Sequence, residues 1–178
     1  MSDEQETIFL DKEGTQPVYE ITGFMLSEDG RKVTYTAKLK GTDEMDIALI
    51  ADDTKKELMV QFCIAYSGIL AKHNLLATGV TGKMVAEATG LKVHRFYAGA
   101  QGGDQQIGAL VACNEIDMLL IFSDPLDPKE HEPNVNSLLR ICDVHNVPAA
   151  TNIATAEALI HSLDRGDLDW RDIVNPKH

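Results

Sequence analysis

The sequence has few cysteines, few aromatic side chains and no long hydrophobic run. Its 178 residues include 3 cysteines and 6% aromatic residues. Isolated cysteines without a CxxC pair favour reduced thiols in a reducing compartment, packed as small core residues, over a disulfide framework or a zinc site. No apolar segment approaches the roughly 20 residues of a membrane span, and the acidic start MSDEQE is unlike a secretory signal. We therefore expect a cytoplasmic protein without a membrane partner.

Basic residues are also scarce: the sequence has 16 lysines and arginines but 28 aspartates and glutamates, which gives a formal net charge of −12. This acidic balance argues against a nucleic-acid partner or an anionic membrane surface. It still permits a small anionic substrate, which needs only a few local donors. With 44% hydrophobic and 25% charged residues, the chain has the composition of an ordinary globular domain that buries a sizeable core.

The first part of the chain has a different pattern from the rest. The segments VYEITGFML (18–26) and KVTYTAKLK (32–40) flank SEDGR, and the second alternates apolar and polar residues. Period-2 alternation around Asp-Gly predicts an antiparallel β-hairpin. We expect three regions: a hairpin extension over residues 1–45, an α/β domain over 46–165 and a C-terminal tail over 166–178.

From Asp46 onward, five short apolar segments alternate with helical patterns. This alternation predicts βαβ units and a parallel sheet with both faces covered. The predicted strands are 47–51, 75–78, 93–98, 118–123 and 148–151, and the predicted helices are 56–73, 81–89, 105–113, 135–146 and 156–163. Gly90 is expected to end the second helix.

Ligands of such sheets bind beyond the carboxyl ends of the strands, and polar residues follow each predicted strand. Those singled out are Asp52, Asp53 and Lys56 after the first strand, Thr78, Gly79, Val80 and Thr81 after the second, Ala98, Gly99 and Asp104 after the third, and Asp124 and His131 after the fourth.

Each of these features also has a structural interpretation. The turn TGVTG can surround an anion with backbone N–H groups, or Thr78 or Thr81 can simply cap a helix. Asp104 in GGDQQ is either an N-cap or a catalytic base. A lysine at a helix start is disfavoured by the helix dipole unless an anion lies nearby, but Lys56 could equally be solvated.

The same holds for the loop after the fourth strand. Asp124 before Pro125 could be a turn residue, and His131 a surface histidine. Together, however, a phosphate cradle, a lysine, several carboxylates and a histidine at one sheet edge suit proton abstraction next to a carbonyl on a small phosphorylated molecule.

The segments ATGVTG, GGDQQIGAL, FSDPLD followed by a histidine, LLRICDVHNVP and ATNIATAE resemble those of methylglyoxal synthases, in the same order and spacing from about Asp46 to Ile160. The resemblance implies a flavodoxin-like three-layer fold with a five-stranded parallel sheet, assembled as a homohexamer. It also implies a lyase that needs neither metal nor cofactor, and that converts dihydroxyacetone phosphate into methylglyoxal and inorganic phosphate as a bypass of glycolysis.

The resemblance also assigns roles to residues. Asp104 would remove a proton from the hydroxymethyl carbon of the substrate, and His131 would contact the carbonyl end and shuttle a proton. Asp124 would support the site. The substrate would be held by the remaining residues of the strand ends, namely Asp52, Asp53, Lys56, Thr78, Gly79, Val80, Thr81, Ala98 and Gly99.

Several positions depart from the family pattern. Asp52 replaces a usual histidine, Val80 a threonine, Ala98 a serine and Asn134 an aspartate. The additional carboxylate at position 52 could either repel a phosphodianion or act as a second base. An arginine that family members send into a neighbouring subunit has no clear match, although Arg165 and Arg171 are candidates.

These departures leave three hypotheses. The leading one is an active methylglyoxal synthase with a modified site. The second is a binding domain, non-catalytic or of altered specificity, like the regulatory domain of the same fold in carbamoyl phosphate synthetase. The third, an interaction protein acting through the hairpin, has no positive support in the sequence.

Overall fold

The computed structural model describes residues 19–27, 33–39, 44–126 and 134–171. The chain divides into two compact units, residues 1–42 and 43–178. In the first unit, β1 (Tyr19–Leu26) pairs antiparallel with β2 (Val33–Leu39), with a shift of register between Ile21 and Gly23. The Asp-Gly turn predicted between these strands lies outside the described residues.

The second unit is built on a five-stranded parallel sheet. Its strands are β3 (Asp46–Ala51), β4 (Asn74–Ala77), β5 (Val93–Arg95), β6 (Met118–Phe122) and β7 (Ala149–Ala150). Its helices are α1 (Lys56–Ala65), α2 (Ser67–Leu70), α3 (Gly79–Thr89), α4 (Gly103–Ala112), α5 (Val135–Val144) and α6 (Ile153–Asp164). Among the described residues, no helix is long and apolar enough to cross a membrane.

The strands lie in the order β5-β4-β3-β6-β7. Counted within this sheet the order is 3-2-1-4-5, whereas flavodoxin itself has 2-1-3-4-5. The chain winds outward in opposite directions from β3 and from β6, so these two neighbouring strands form the topological switch point. In open α/β sheets a crevice opens there, beyond the carboxyl ends of the strands.

The sheet is covered on both faces, as predicted for a three-layer α/β fold. Alternate residues of β3 point to opposite sides, since Ile47 and Leu49 join one buried cluster and Ala48 and Ile50 the other. The first cluster contains residues of α1, α2, α3 and α6, and the second contains residues of α4 and α5. The near-continuous apolar strands are therefore explained by burial on both sides.

Several element bounds differ from the sequence prediction. The helix predicted over 56–73 is two helices, because Tyr66 leaves helical geometry at φ −109° and ψ 20°. The strand predicted to end at Ala98 stops at Arg95, since the backbone of Tyr97 bonds to groups outside the sheet. Gly90 ends α3 in the left-handed conformation, at φ 72°, as predicted.

The chain after α6 still belongs to the domain. Leu168, within the segment predicted as a tail, is 8% exposed and joins the same buried cluster as α6. Arg171 is 1% exposed at the amino edge of the sheet, where its guanidinium donates to the backbone oxygen of Asn146. The packing of this unit thus extends at least to Arg171.

Two of the three cysteines are small core residues, as predicted. Burial raises the pKa of the Cys63 thiol to about 12. The pKa of the Cys142 thiol is raised to about 11, and burial is the largest cause of that shift. Both therefore stay protonated and unreactive at neutral pH. The prediction is wrong for Cys113, which is exposed where α4 ends.

Candidate active site

A pocket of about 170 Å³ opens at the carboxyl edge of the sheet, beside the switch point. Residues from three strand ends line it: Ile50, Ala51, Asp52, Asp53, Lys56, Thr78, Val80, Ala98, Gly99 and Ala100. The sequence predicted that polar residues after separate strands would meet at this edge. Seven of the predicted substrate-binding positions indeed border one pocket, namely Asp52, Asp53, Lys56, Thr78, Val80, Ala98 and Gly99.

Asp52 lies at the centre of this edge and is 2% exposed. Its backbone N–H donates to the carbonyl oxygen of Phe122 at 2.9 Å, which continues the β3–β6 pairing. Its Oδ2 accepts the backbone N–H of Asp124, also at 2.9 Å. The side chain at this departure from the family pattern therefore links the ends of the two central strands.

Lys56 is the first residue of α1, and its ammonium contacts two residues that come just before it in the sequence. The Nζ donates to the carbonyl oxygen of Ala51 at 2.7 Å and lies 2.9 Å from Oδ1 of Asp53. The Lys56 side chain is only 15% exposed, whereas that of Asp53 is 64% exposed. The dipole penalty of a cation at a helix start is thus offset by a neighbouring acid, and the ammonium is held at the wall of the pocket.

The turn TGVTG forms the start of α3 at a second wall of the pocket. Thr78 occupies the N-cap position, but its side chain makes no cap hydrogen bond; its Oγ1 instead donates to Oγ1 of Thr81 at 3.3 Å. Val80 is 49% exposed. The first N–H groups of α3 and the helix dipole make this end of the helix favourable to an anion.

Gly79 is required here by close packing of the backbone. A Cβ at this position would lie 2.9 Å from the carbonyl oxygen of Phe96, nearer than side chains approach backbone. The Gly79 N–H donates to the carbonyl oxygen of Tyr97 at 3.0 Å. The TGVTG turn and the loop after β5 are therefore fastened to each other.

Asp104 belongs to the first turn of α4 and is partly buried. The prediction that it caps the helix is wrong, because Gly102 takes the N-cap position with a left-handed φ of 91° and the helix begins one residue before Asp104. Gly103 is needed there since a Cβ would overlap the carbonyl oxygen of Tyr97. Asp104 borders a groove of about 380 Å³ between α4 and α5, together with Asn134 and Ser137, and is not among the residues lining the first pocket.

Gln106 is a site-building residue to which the sequence analysis gave no role. Its Oε1 accepts the backbone N–H of Tyr97 at 3.0 Å. Together with the Gly79 bond, this contact fixes the Tyr97 peptide groups from both sides just before Ala98 and Gly99 reach the pocket. The two adjacent glutamines of GGDQQ are the sequence feature that points to this role, because side-chain amides next to a glycine turn can form hydrogen bonds with the backbone of a loop.

Three further predicted residues lie elsewhere or cannot be placed. His131 falls outside the described residues. Arg171 is wrong as a candidate for a neighbouring subunit's site, because it is buried at the opposite edge with Nη2 3.4 Å from Oδ1 of Asn114. Arg165 is exposed and bonds to Oδ2 of Asp167 through Nε at 2.9 Å.

The part of the chain that the structure describes contains no group of three or more histidine, cysteine, aspartate or glutamate side chains arranged to hold a metal ion. The pocket wall presents one ammonium, two carboxylates, the Thr78 hydroxyl and the amino end of a helix. This set can bind an oxyanion. Asp104, which follows the lining residue Ala100 in the chain, and Asp124, whose N–H donates to Asp52, are further carboxylates that can exchange a proton.

The sequence was compared with known proteins. A family model described as MGS-like domain matches residues 58–151. The chain is 68% identical over 133 residues to the methylglyoxal synthase of Caldicellulosiruptor saccharolyticus, which covers 75% of this chain and 94% of that protein. It is 56% identical over 133 residues to the methylglyoxal synthase of Oceanobacillus iheyensis, covering 75% and 95%.

A solved structure gives the same result. The crystal structure of methylglyoxal synthase from Elizabethkingia anophelis NUHP1 is similar with a TM-score of 0.66 and 40% sequence identity, over 68% of this chain and 81% of that one.

Proposed function

The chain belongs to the methylglyoxal synthase family, and from this premise we propose that it converts dihydroxyacetone phosphate into methylglyoxal and inorganic phosphate. The observation that carries the proposal is the pocket beside the switch point, which is lined by Lys56 and by Thr78 and Val80 of the TGVTG turn. A phosphate group fits such a combination of a fixed cation and a helix amino end. The enzyme would act as a carbon–oxygen lyase in the cytoplasm.

The proposed reaction begins with removal of a proton from the hydroxymethyl carbon by Asp104. The electron pair left on that carbon forms an enediolate, which then breaks the carbon–oxygen bond to phosphate and releases it. The remaining enol gains a proton on its terminal carbon to give methylglyoxal. This route consists of proton transfers and one elimination, so a carboxylate base and a stabilised leaving group account for it.

The phosphate would lie against Lys56 and the amino end of α3. Thr78, Gly79, Val80 and Thr81 supply the turn, with one hydroxyl fewer than the family's threonine at position 80 would give. Asp52 and Asp53 add negative charge to the same wall, and the Lys56 ammonium balances one of them. Ala98 and Gly99 would offer backbone to the substrate.

Asp104 and Asp124 are proposed as the catalytic carboxylates. Asp104 follows the Ala98–Gly99 loop by one short turn, and Asp124 follows β6 at the switch point. His131 is proposed to contact the carbonyl end. Contacts between a base and its substrate commonly tighten only in the substrate complex, so the groove position of Asp104 is compatible with this role.

Purified full-length protein tests the proposal directly. Incubation with dihydroxyacetone phosphate is expected to release methylglyoxal and phosphate in equal amounts, measured by trapping the dicarbonyl and by a phosphate assay. Binding of phosphate without formation of methylglyoxal would instead identify a binding domain, a hypothesis that Asp52, Val80 and Asn134 favour. If the protein shows no turnover, and phosphate does not raise its melting temperature either, both functions are contradicted.

Two adjacent lysines give a matched test of the phosphate site. Lys56→Met removes the ammonium at the pocket wall, whereas Lys55→Met removes one that does not line it. A hydrogen bond to a charged group is worth about 1.5–3 kcal/mol, so Lys56→Met should raise KM about 10- to 100-fold. We expect steady-state kinetics of Lys55→Met to match the parent protein; equal KM values for the two variants would exclude Lys56 from the phosphate site.

A further inference from the structure

The two central strands are held together at both ends by buried aspartates. At the carboxyl end, Oδ2 of Asp52, just after β3, accepts the N–H of Asp124, just after β6, at 2.9 Å. At the amino end, Oδ2 of Asp117, just before β6, accepts the N–H of Asp46, the first residue of β3, at 2.8 Å. The two accepting residues, Asp52 and Asp117, are at most 3% exposed. A hydrogen bond from backbone to carboxylate thus joins β3 to β6 at both ends of these strands, but the pocket lies at the carboxyl end only.

The contact at the carboxyl end continues into the loop after β6. Asp124 uses its own Oδ1 to accept the backbone N–H of Leu126 at 3.0 Å. The two carboxylates therefore act in series: Asp52 fixes the peptide of Asp124, and Asp124 fixes the peptide two residues later. Hydrogen bonds from backbone N–H groups to a carboxylate are short and about twice as strong as those between neutral groups.

We propose that Asp52 is a positioning residue, whose buried carboxylate holds Asp124 and the first turn of the following loop in register with the pocket. This inference rests on the proposed function for its kinetic consequence. It assigns Asp52 a role different from that of a charge facing the substrate, because its Oδ2 bonds to the backbone of Asp124. At the position where the resemblance implies a histidine, this chain has a carboxylate that links the ends of β3 and β6.

A pair of variants separates geometry from charge. Asp52→Asn keeps an oxygen at the same distance from the backbone and removes the charge. Asp52→Glu keeps the charge and moves it by one methylene group. Asp117→Glu makes the same change at the opposite edge, where a similar bond is disturbed far from the pocket.

Two measurements are made on the full-length protein and each variant: hydrogen exchange of the amides of Asp124 and Leu126, and kcat and KM for dihydroxyacetone phosphate. In Asp52→Glu the amides of Asp124 and Leu126 should both exchange faster. The kcat should fall about 10- to 100-fold, which is the usual cost of displacing a reacting group by about 1 Å. Asp52→Asn should keep slow exchange and a kcat at least 10-fold above that of the Glu variant, with an equal or lower KM. Asp117→Glu should lower the melting temperature without altering either amide or kcat.

The opposite pattern overturns the proposal. If Asp52→Glu folds with unchanged exchange at Asp124, the Asp52 carboxylate does not hold that peptide and the proposal fails. It also fails if Asp52→Asn loses as much kcat as Asp52→Glu, because removal of the charge with the geometry kept would then be sufficient for the loss. If the parent protein forms no methylglyoxal, the proposed function fails, but the exchange rates of the same three variants still decide whether Asp52 holds the loop.

Discussion

At the scale of single residues, substitution separates the proposed role of Asp104 as a base from its contribution to the stability of α4. Asp104→Asn removes the proposed base and keeps nearly the same shape. Because Asp104 is in the first turn of α4 rather than at its cap, the fold loses only the interaction of a charge with the helix dipole, about 0.3–1 kcal/mol. A general base contributes about 10²–10⁴-fold, so kcat should fall by at least that lower factor.

The measurement is turnover together with urea-induced unfolding. Asp143→Asn, which removes an exposed carboxylate from α5, serves as the control and should leave both unchanged. A folded Asp104→Asn protein with parental kcat would reassign the base to another residue.

At the scale of elements, the join between the β5 loop and α4 depends on Gly103. A Cβ there would overlap the carbonyl oxygen of Tyr97, and backbone cannot move away as a flexible side chain can. Gly103→Ala should destabilise the protein by about 1–3 kcal/mol. Gly68→Ala in α2 is the matched control, because a Cβ added at Gly68 would have no neighbouring group within 4 Å. This substitution should stabilise the protein by about 0.4–1 kcal/mol. Equal unfolding free energies for the two variants would refute the packing argument.

A second element-scale prediction concerns pH and the junction before β3. His73, between α2 and β4, accepts the backbone N–H of Met45 through Nδ1 at 3.2 Å, which requires neutral imidazole. Burial and then the Lys72 ammonium lower the pKa of His73, against the opposing charges of Asp164, Glu44 and Asp117. The unfolded chain therefore binds this proton more readily than the folded one, and the contribution of His73 to stability is lost as pH falls below about 6.5.

His73→Asn keeps an acceptor near Nδ1 that does not titrate. Free energies of unfolding from urea titrations between about pH 7.5 and pH 5.5 should fall less steeply for this variant than for the parent protein. Parallel pH curves would show that protonation of His73 is not coupled to folding.

At the scale of the whole molecule, we predict a homohexamer, so light scattering should give six times the 19.5 kDa of one chain. A two-stranded sheet is at best marginal in water by itself. The β1–β2 hairpin is therefore expected to bury one face against another surface, and deleting residues 1–42 should weaken assembly or solubility. Deleting residues 1–18 leaves both strands and is the control. A stable monomer at micromolar concentration would contradict this prediction.

The sequence by itself determined the class of the fold and the edge on which the site lies. Unbroken apolar segments specify strands buried on both faces, and the helical segments between them indicate parallel strands. Because the carboxyl ends of parallel strands meet at one edge of the sheet, the sequence alone predicts that Asp52, Lys56, Thr78 and Ala98 lie at the same edge. The family motifs then supplied a chemistry for that edge.

Only the tertiary structure decided what the polar groups at the pocket bond to. Asp52 and Thr78 both line the pocket, but Asp52 also accepts the N–H of Asp124, 72 residues away, and Thr78 donates to Thr81 in the first turn of α3. Local pattern also placed the start of α4 two residues late, since the left-handed Gly102 and the close approach at Gly103 depend on Tyr97. Hydrogen bonds between separate strand ends are set by how the strands pack, and no spacing in one segment of sequence records them.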